Sequence, residues 1–208
     1  SVKTSDLATA LSQVIFSVNT EESRPEISGV YFGVTPQTLT VVGTDSYRLA
    51  EKVLPIIKTN SNNDFNLIVP LRTAQEVLRV AEVNDGEINI IANESQILWQ
   101  VGETQITSRL VAGQFPDYKQ IIPKSFSTEV IIPKDELLRA IRSAGLFVRS
   151  GINDVRARII PSEKIVRISA NNSQLGENTT EVRVESSSGD EVEIVFNYKY
   201  LLDGVGVI

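Results

Sequence analysis

Ile132-Pro133-Lys134-Asp135-Glu136-Leu137 joins the end of a β-like apolar run directly to a helix-like segment, and the chain makes this junction four times. The counterparts are Val2-Lys3-Thr4-Ser5-Asp6-Leu7, Val69-Pro70-Leu71-Arg72-Thr73-Ala74 and Phe196-Asn197-Tyr198-Lys199-Tyr200-Leu201. Counted from the first apolar residue, the starts lie 67, 63 and 64 residues apart. Self-similarity at a nearly fixed period means that one supersecondary unit has been copied and stacked. The fourth copy runs only eleven residues past Asn197, so the chain is expected to end inside a repeat.

Working outward from each junction gives the content of a repeat. In the first, Leu7, Ala10, Leu11, Val14 and Ile15 fall at i, i+3, i+4, i+7 and i+8, the apolar stripe of a helix over Asp6–Phe16, with Thr4 or Ser5 as expected N-cap. Strands are expected at Gly29–Val34, Leu39–Val42 and Tyr47–Leu54. The second repeat has a helix over Arg72–Val83 carrying Ala74, Val77, Leu78 and Ala81, then strands at Glu87–Ile91, Gln96–Val101 and Thr104–Leu110. The third has a helix over Lys134–Leu146, strands at Ala157–Ile160, Lys164–Ser169 and Thr180–Ser186, and loops at Gly151–Asp154 and Ser186–Gly189; Glu191–Phe196 leads into the fourth. Gly113 and Pro116 interrupt the strand pattern, which makes 116–123 the expected connector between a domain at 1–123 and an incomplete one at 124–208. Helices on one side of antiparallel strands, two repeats per domain, define an α+β fold.

Composition removes several chemistries. The 208 residues include neither Cys nor His, which excludes disulfides, thiolate metal sites, Ser-His triads and Cys-His pairs. No apolar run is long enough to span a bilayer, and the start lacks the pattern of a signal peptide, so the chain reads as soluble. It contains no Met, which together with the unfinished repeat suggests a piece of a longer protein. A net charge of −6 argues against a uniformly basic nucleic-acid binder.

Three local clusters stand out. Gly43-Thr44-Asp45-Ser46-Tyr47-Arg48-Leu49-Ala50 lies between two apolar strands; local physics reads it as a hairpin turn closed by Asp45 and Ser46, while Tyr47 and Arg48 are side chains suited to anchor an interface. Phe115-Pro116-Asp117-Tyr118 reads as a turn docking two aromatics on the core. On the third helix Arg139 and Arg142, with Arg149 if the helix extends, lie opposite Leu137, Ile141 and Ala144. That stripe is either a solvated face or a surface for phosphates, to which Lys3, Arg72, Arg79 and Lys134 would add. Asp45 with Arg48, and Asp135 with Glu136, are neighbouring charges with no sign of an active site, and there is no Gly-rich phosphate loop.

In combination, Gly-Thr-Asp-Ser-Tyr-Arg-Leu-Ala, then Leu-Val-Ala-Gly-Gln-Phe-Pro-Asp-Tyr from Leu110, then Ile-Ser-Ala-Asn-Asn at Ile168–Asn172 and Phe-Asn-Tyr-Lys-Tyr-Leu-Leu-Asp at Phe196–Asp203 resemble the bacterial sliding clamp, the beta subunit of DNA polymerase III. The resemblance covers the whole chain in order and implies the DNA-clamp fold, with a middle domain followed by an incomplete last one. It further implies a cytoplasmic, non-catalytic processivity factor without cofactor, metal or membrane partner, whose subunits pair head to tail into a ring around duplex DNA. Polymerase, clamp loader and repair proteins would dock through linear peptides in a cleft.

By the same resemblance that cleft takes Ile27, Thr44, Ser46, Tyr47, Arg48, Leu49, Pro116, Gln120, Ile121, Ile152, Asn197 and Tyr200. Ile27, Leu49, Pro116 and Ile121 would form its apolar pocket. Tyr47 stands where many relatives have His, and Gln120 where some have Arg. Arg24, Arg72, Arg79, Lys134, Arg139 and Arg142 are implied to face DNA, and Leu146 and Phe147 to meet a partner subunit. A β-rich adhesion or scaffold module is the alternative that the Ser/Thr/Asn-rich turns and acidic charge leave open.

Overall fold

A computed structural model of the chain describes residues 1–21, 23–60, 63–149 and 151–208. It separates into two compact units, Ser1–Asp117 and Tyr118–Ile208, the division falling within the segment 116–123.

In the first unit, β1 (Val2–Lys3) runs straight into α1 (Thr4–Val14), followed by a 3-10 turn over Ile15–Ser17. Then come β2 (Gly29–Val34), β3 (Thr38–Thr44), β4 (Leu49–Pro55) and β5 (Phe65–Pro70), which feeds α2 (Leu71–Val83). β6 (Glu87–Ala92), β7 (Gln96–Val101) and β8 (Thr104–Arg109) complete it. All pairings are antiparallel, in two four-stranded sheets of order β4-β3-β2-β5 and β1-β6-β7-β8. The stripes do what their spacing dictates. Leu7, Ala10, Leu11 and Val14 of α1 and Ala74, Val77 of α2 enter one core with Phe32, Val41, Ile88, Ile97 and Trp99 from the two sheets. Trp99, the one tryptophan of the chain, is 1% exposed and meets Phe32 edge-on with 6.4 Å between centroids.

The second unit repeats the plan with β9 (Thr128–Ile131), α3 (Lys134–Gly145), β10 (Asp154–Ile160), β11 (Ile165–Asn172), β12 (Gly176–Arg183), β13 (Ser186–Gly189), β14 (Val192–Asn197) and α4 (Tyr198–Gly206). Its four-stranded sheet has order β12-β11-β10-β14, the counterpart of β4-β3-β2-β5. A separate core gathers Ala140 and Ala144 of α3 with Val155, Val166, Ile168 and Val182.

Four expectations need correction. Thr4 is not the N-cap of α1 but its first residue; the cap is Lys3, without a side-chain bond. Because strand passes directly into helix, a loop of the next repeat satisfies the helix start, with Thr4 N and Oγ1 both donating to Gly86 O (3.0 and 3.2 Å). The third strand begins at Leu49 rather than Tyr47, since residues 45–48 are held as a turn. Ser186–Gly189 is not a loop but β13, paired with β9 in the register Ser186↔Ile131 to Gly189↔Thr128. The segment Ser186-Ser187-Ser188-Gly189 joins β9 through its backbone, so no apolar alternation announces it. Finally, α3 stops at Gly145, and Arg149 lies beyond it, bonded to Asp154 at 3.0 Å. Among the described residues no helix is long and apolar enough to cross a membrane.

Candidate peptide and DNA surfaces

The turn between β3 and β4 is held by hydrogen bonds from its own side chains. Thr44 Oγ1 donates to Arg48 O (2.8 Å) and accepts from Ser46 N (3.1 Å). Asp45 Oδ1 accepts from the backbone N of both Tyr47 and Arg48 (3.0 Å each), while its Oδ2 accepts from Arg48 Nε at 2.9 Å. These local bonds stabilise Ser46 at φ 76°, a left-handed conformation unusual for a residue with a side chain. The turn lifts Tyr47 into solvent, where it is 84% exposed. From the neighbouring loop Arg24 Nη1 donates to Ser46 Oγ at 2.6 Å and Arg24 Nε to Glu26 at 3.1 Å. A backbone hydrogen bond, helped by Arg24, holds the Glu26 carboxyl below its ordinary value.

Of the residues implied for the cleft, the first unit brings Ser46, Tyr47, Arg48 and Leu49 together on this turn, with Thr44 at its base. Ile27 and Thr44 are themselves buried, Ile27 at 1% exposure, so within this unit neither offers the accessible surface expected of a pocket residue. Pro116 is exposed beside Phe115, whose buried ring packs on Tyr31 at 4.9 Å. Burial pushes the Tyr31 phenol above its ordinary value, and its hydroxyl donates to Asn66 Oδ1 at 2.7 Å. In the second unit Gln120 and Ile121 are exposed on the 3-10 turn Tyr118–Ile121, whose Tyr118 is buried; Ile121 is 71% exposed. Ile152 is exposed next to the start of β10, where Asp154 pairs with Asn197. Asn197 Oδ1 accepts from Lys199 N (3.0 Å) as the cap of α4, and Tyr200 is half-buried on that helix.

The cations implied to face DNA divide sharply. Arg72 on α2 and Arg139 and Arg142 on α3 are exposed and enter no ion pair among the described residues. Arg79 is paired with Glu76 on its own helix, Lys134 Nζ donates to Gly206 O at 3.1 Å, and Arg24 belongs to the turn just described. Leu146 is exposed just after α3, whereas Phe147 packs against the core of its unit. Sequence reasoning missed Phe16, which lies off the apolar stripe of α1 with its ring centroid 5.3 Å from Arg48 Cζ; it did place Asp45 as the residue that closes the turn, and the structure adds the 2.9 Å ion pair of Asp45 with Arg48.

Sheets of this order carrying one helix per repeat are the architecture of sliding clamps in solved structures. The sliding clamp of Bacillus subtilis matches all of this chain and 54% of its own, with 30% identity and a TM-score of 0.93. A clamp from Pseudomonas aeruginosa bound to griselimycin matches 99% of this chain and 55% of its own, at 30% identity and a TM-score of 0.92. The chain belongs to the family of the DNA polymerase III beta subunit: residues 1–117 match its central domain and 119–208 its C-terminal domain. Among curated proteins, the beta sliding clamps of Bacillus subtilis and Staphylococcus aureus (strain Mu50) are each 30% identical, over 207 and 202 residues. The chain spans about half the length of the curated relatives it matches.

Proposed function

We propose that this chain serves as the central and C-terminal portion of a ring-shaped sliding clamp, residues 1–123 acting as one clamp domain and 124–208 contributing to the next. The observation that carries the reading is the consecutive match of both domain families in their order along the chain. Two such subunits, joined head to tail with Leu146 and Phe147 near the junction, encircle duplex DNA and tether the replicative polymerase without catalysing a reaction.

A ring retains its track by topology, so its inner surface needs only weak, sequence-independent phosphate contacts. The exposed guanidinium groups of Arg72, Arg139 and Arg142, which enter no ion pair among the described residues, suit that task. Arg79, Lys134 and Arg24, already engaged within the chain, contribute less.

Peptides of polymerase, clamp loader and repair proteins bind at the turn Thr44–Leu49 and Pro116 of the first unit; in the second unit the residues proposed for peptide contact are Gln120, Ile121, Ile152, Asn197 and Tyr200. Tyr47, Ile121 and Ile152 offer exposed apolar surface, and Arg48 offers a fixed cation.

A full-length clamp carrying this chain, loaded by its loader and ATP onto a nicked plasmid, tests the proposal. It should co-elute with the circle in gel filtration and be released when the plasmid is cut once at a distant site. Equal retention on circular and linear DNA would mean ordinary binding and overturn it.

A further inference from the structure

The cation of the Thr44–Arg48 turn is held from two directions. Asp45 Oδ2 accepts from Arg48 Nε at 2.9 Å, and the Phe16 ring centroid lies 5.3 Å from Arg48 Cζ, within the range of attraction between a cation and an aromatic face. Phe16 does not belong to the turn. It sits in the 3-10 segment Ile15–Ser17 that extends α1, 32 residues earlier in the chain than Arg48.

That segment is itself tied down. Ser17 Oγ donates to Val14 O at 2.7 Å in a fully buried position, and Val18 N donates to Ile15 O. Asn19 N donates to Thr44 O at 3.1 Å, which joins the segment to the strand that opens the turn. Gly43 permits the approach, since a Cβ there would stand 2.5 Å from Val14 O. The ring position is therefore set by the end of α1 and the end of β3, two regular elements, and not by the turn it supports.

An arginine left free in solvent would lose rotamer freedom on meeting a ligand, at a cost in affinity. Clamped between Asp45 and Phe16, Arg48 has lost that freedom on folding. We propose that Phe16 is a positioning residue for peptide recognition: its ring holds the Arg48 guanidinium in the orientation in which it meets an acceptor group of the bound peptide. The inference rests on the peptide-cleft reading above. It adds a residue that touches no peptide and acts only through Arg48.

The test uses a fluorescein-labelled peptide carrying the clamp-binding segment of a replicative polymerase, titrated by anisotropy against the chain and its variants. Phe16→Leu should weaken binding by about 3- to 10-fold, the factor expected when one long side chain must be ordered on binding. Phe16→Tyr, which keeps the ring, should bind as the parent does. In an Arg48→Ala background, Phe16→Leu should have no further effect. The Arg48 side-chain protons of the unliganded parent should show an upfield ring-current shift by NMR that Phe16→Leu removes.

Arg48 protons at their unperturbed positions in the parent would overturn the inference without any variant. Unchanged binding by Phe16→Leu, or an equal loss in the Arg48→Ala background, would overturn it while leaving the cleft intact. Failure of the parent to bind any peptide, or indifference of binding to Arg48→Ala, would instead overturn the cleft reading and the role of Phe16 with it.

Discussion

Gly43→Ala should destabilise the first unit far more than adding one methyl group ordinarily would. A Cβ at Gly43 would meet Val14 O at 2.5 Å, Ser17 Oγ at 2.7 Å and Val18 Cγ2 at 2.9 Å. The first of these is roughly 1 Å short of an ordinary contact. It involves a backbone carbonyl at the end of α1 that already accepts from Ser17 Oγ, so it cannot turn aside cheaply. Either α1 or β3 must shift, and overpacking of this kind costs about 1–3 kcal/mol. Trp99, buried in the core of the first unit and the one tryptophan present, reports on this unit alone. With a urea dependence of about 1–3 kcal/mol per M, a loss of about 2 kcal/mol should lower the Trp99 unfolding midpoint by about 1 M. Gly206→Ala is the control: it sits in α4 with nothing within 4 Å of its Cβ and should leave the Trp99 transition unmoved. A Gly43→Ala midpoint equal to that of the parent would refute the claim that glycine is required there for the close approach of α1 and β3.

Tyr31→Phe removes the 2.7 Å bond to Asn66 and should cost about 0.5–1 kcal/mol at neutral pH by Trp99-monitored urea unfolding. The folded-state phenol titrates above its ordinary 10.0, so its ionisation equilibrium contributes stability that is complete below that value and is lost as pH rises through the raised one. The difference between parent and Tyr31→Phe should therefore shrink above pH 10; a difference independent of pH would contradict the assignment. Arg139→Glu with Arg142→Glu in a full-length clamp should shorten its residence on circular DNA while leaving peptide affinity unchanged, as residence and anisotropy measurements would show. Loss of both together would point to damage of the fold instead.

The regular parts of the fold were legible because burial imposes a period. Leu7, Leu11 and Val14, and likewise Ala74, Val77 and Ala81, repeat at helical spacing because one face of each helix meets the core. The turn at Asp45 was legible for a different reason, since Asp and Ser close turns through their own side chains. β13 was not: Ser186, Ser187 and Ser188 pair with β9 through backbone groups, which leave no trace in residue type. Nor does apolarity distinguish an exposed side chain from one in the core. Ile27 and Ile121 look alike in sequence, yet one is buried and the other exposed. Phe16 was invisible because its partner Arg48 is brought to it only by tertiary packing of the end of α1 against β3.

Whether this chain carries a clamp-type peptide site is decided by titrating the labelled polymerase peptide against the chain, with Leu49→Ser plus Ile121→Ser as the matched variant. Both side chains are at least partly accessible, so the double variant should keep the Trp99 unfolding transition of the parent. Saturable anisotropy change with the parent, reduced at least tenfold in affinity by the double variant, is the predicted result. A parent that leaves the peptide tumbling freely at every concentration, or a double variant that binds equally well, would mean that these residues form no peptide site.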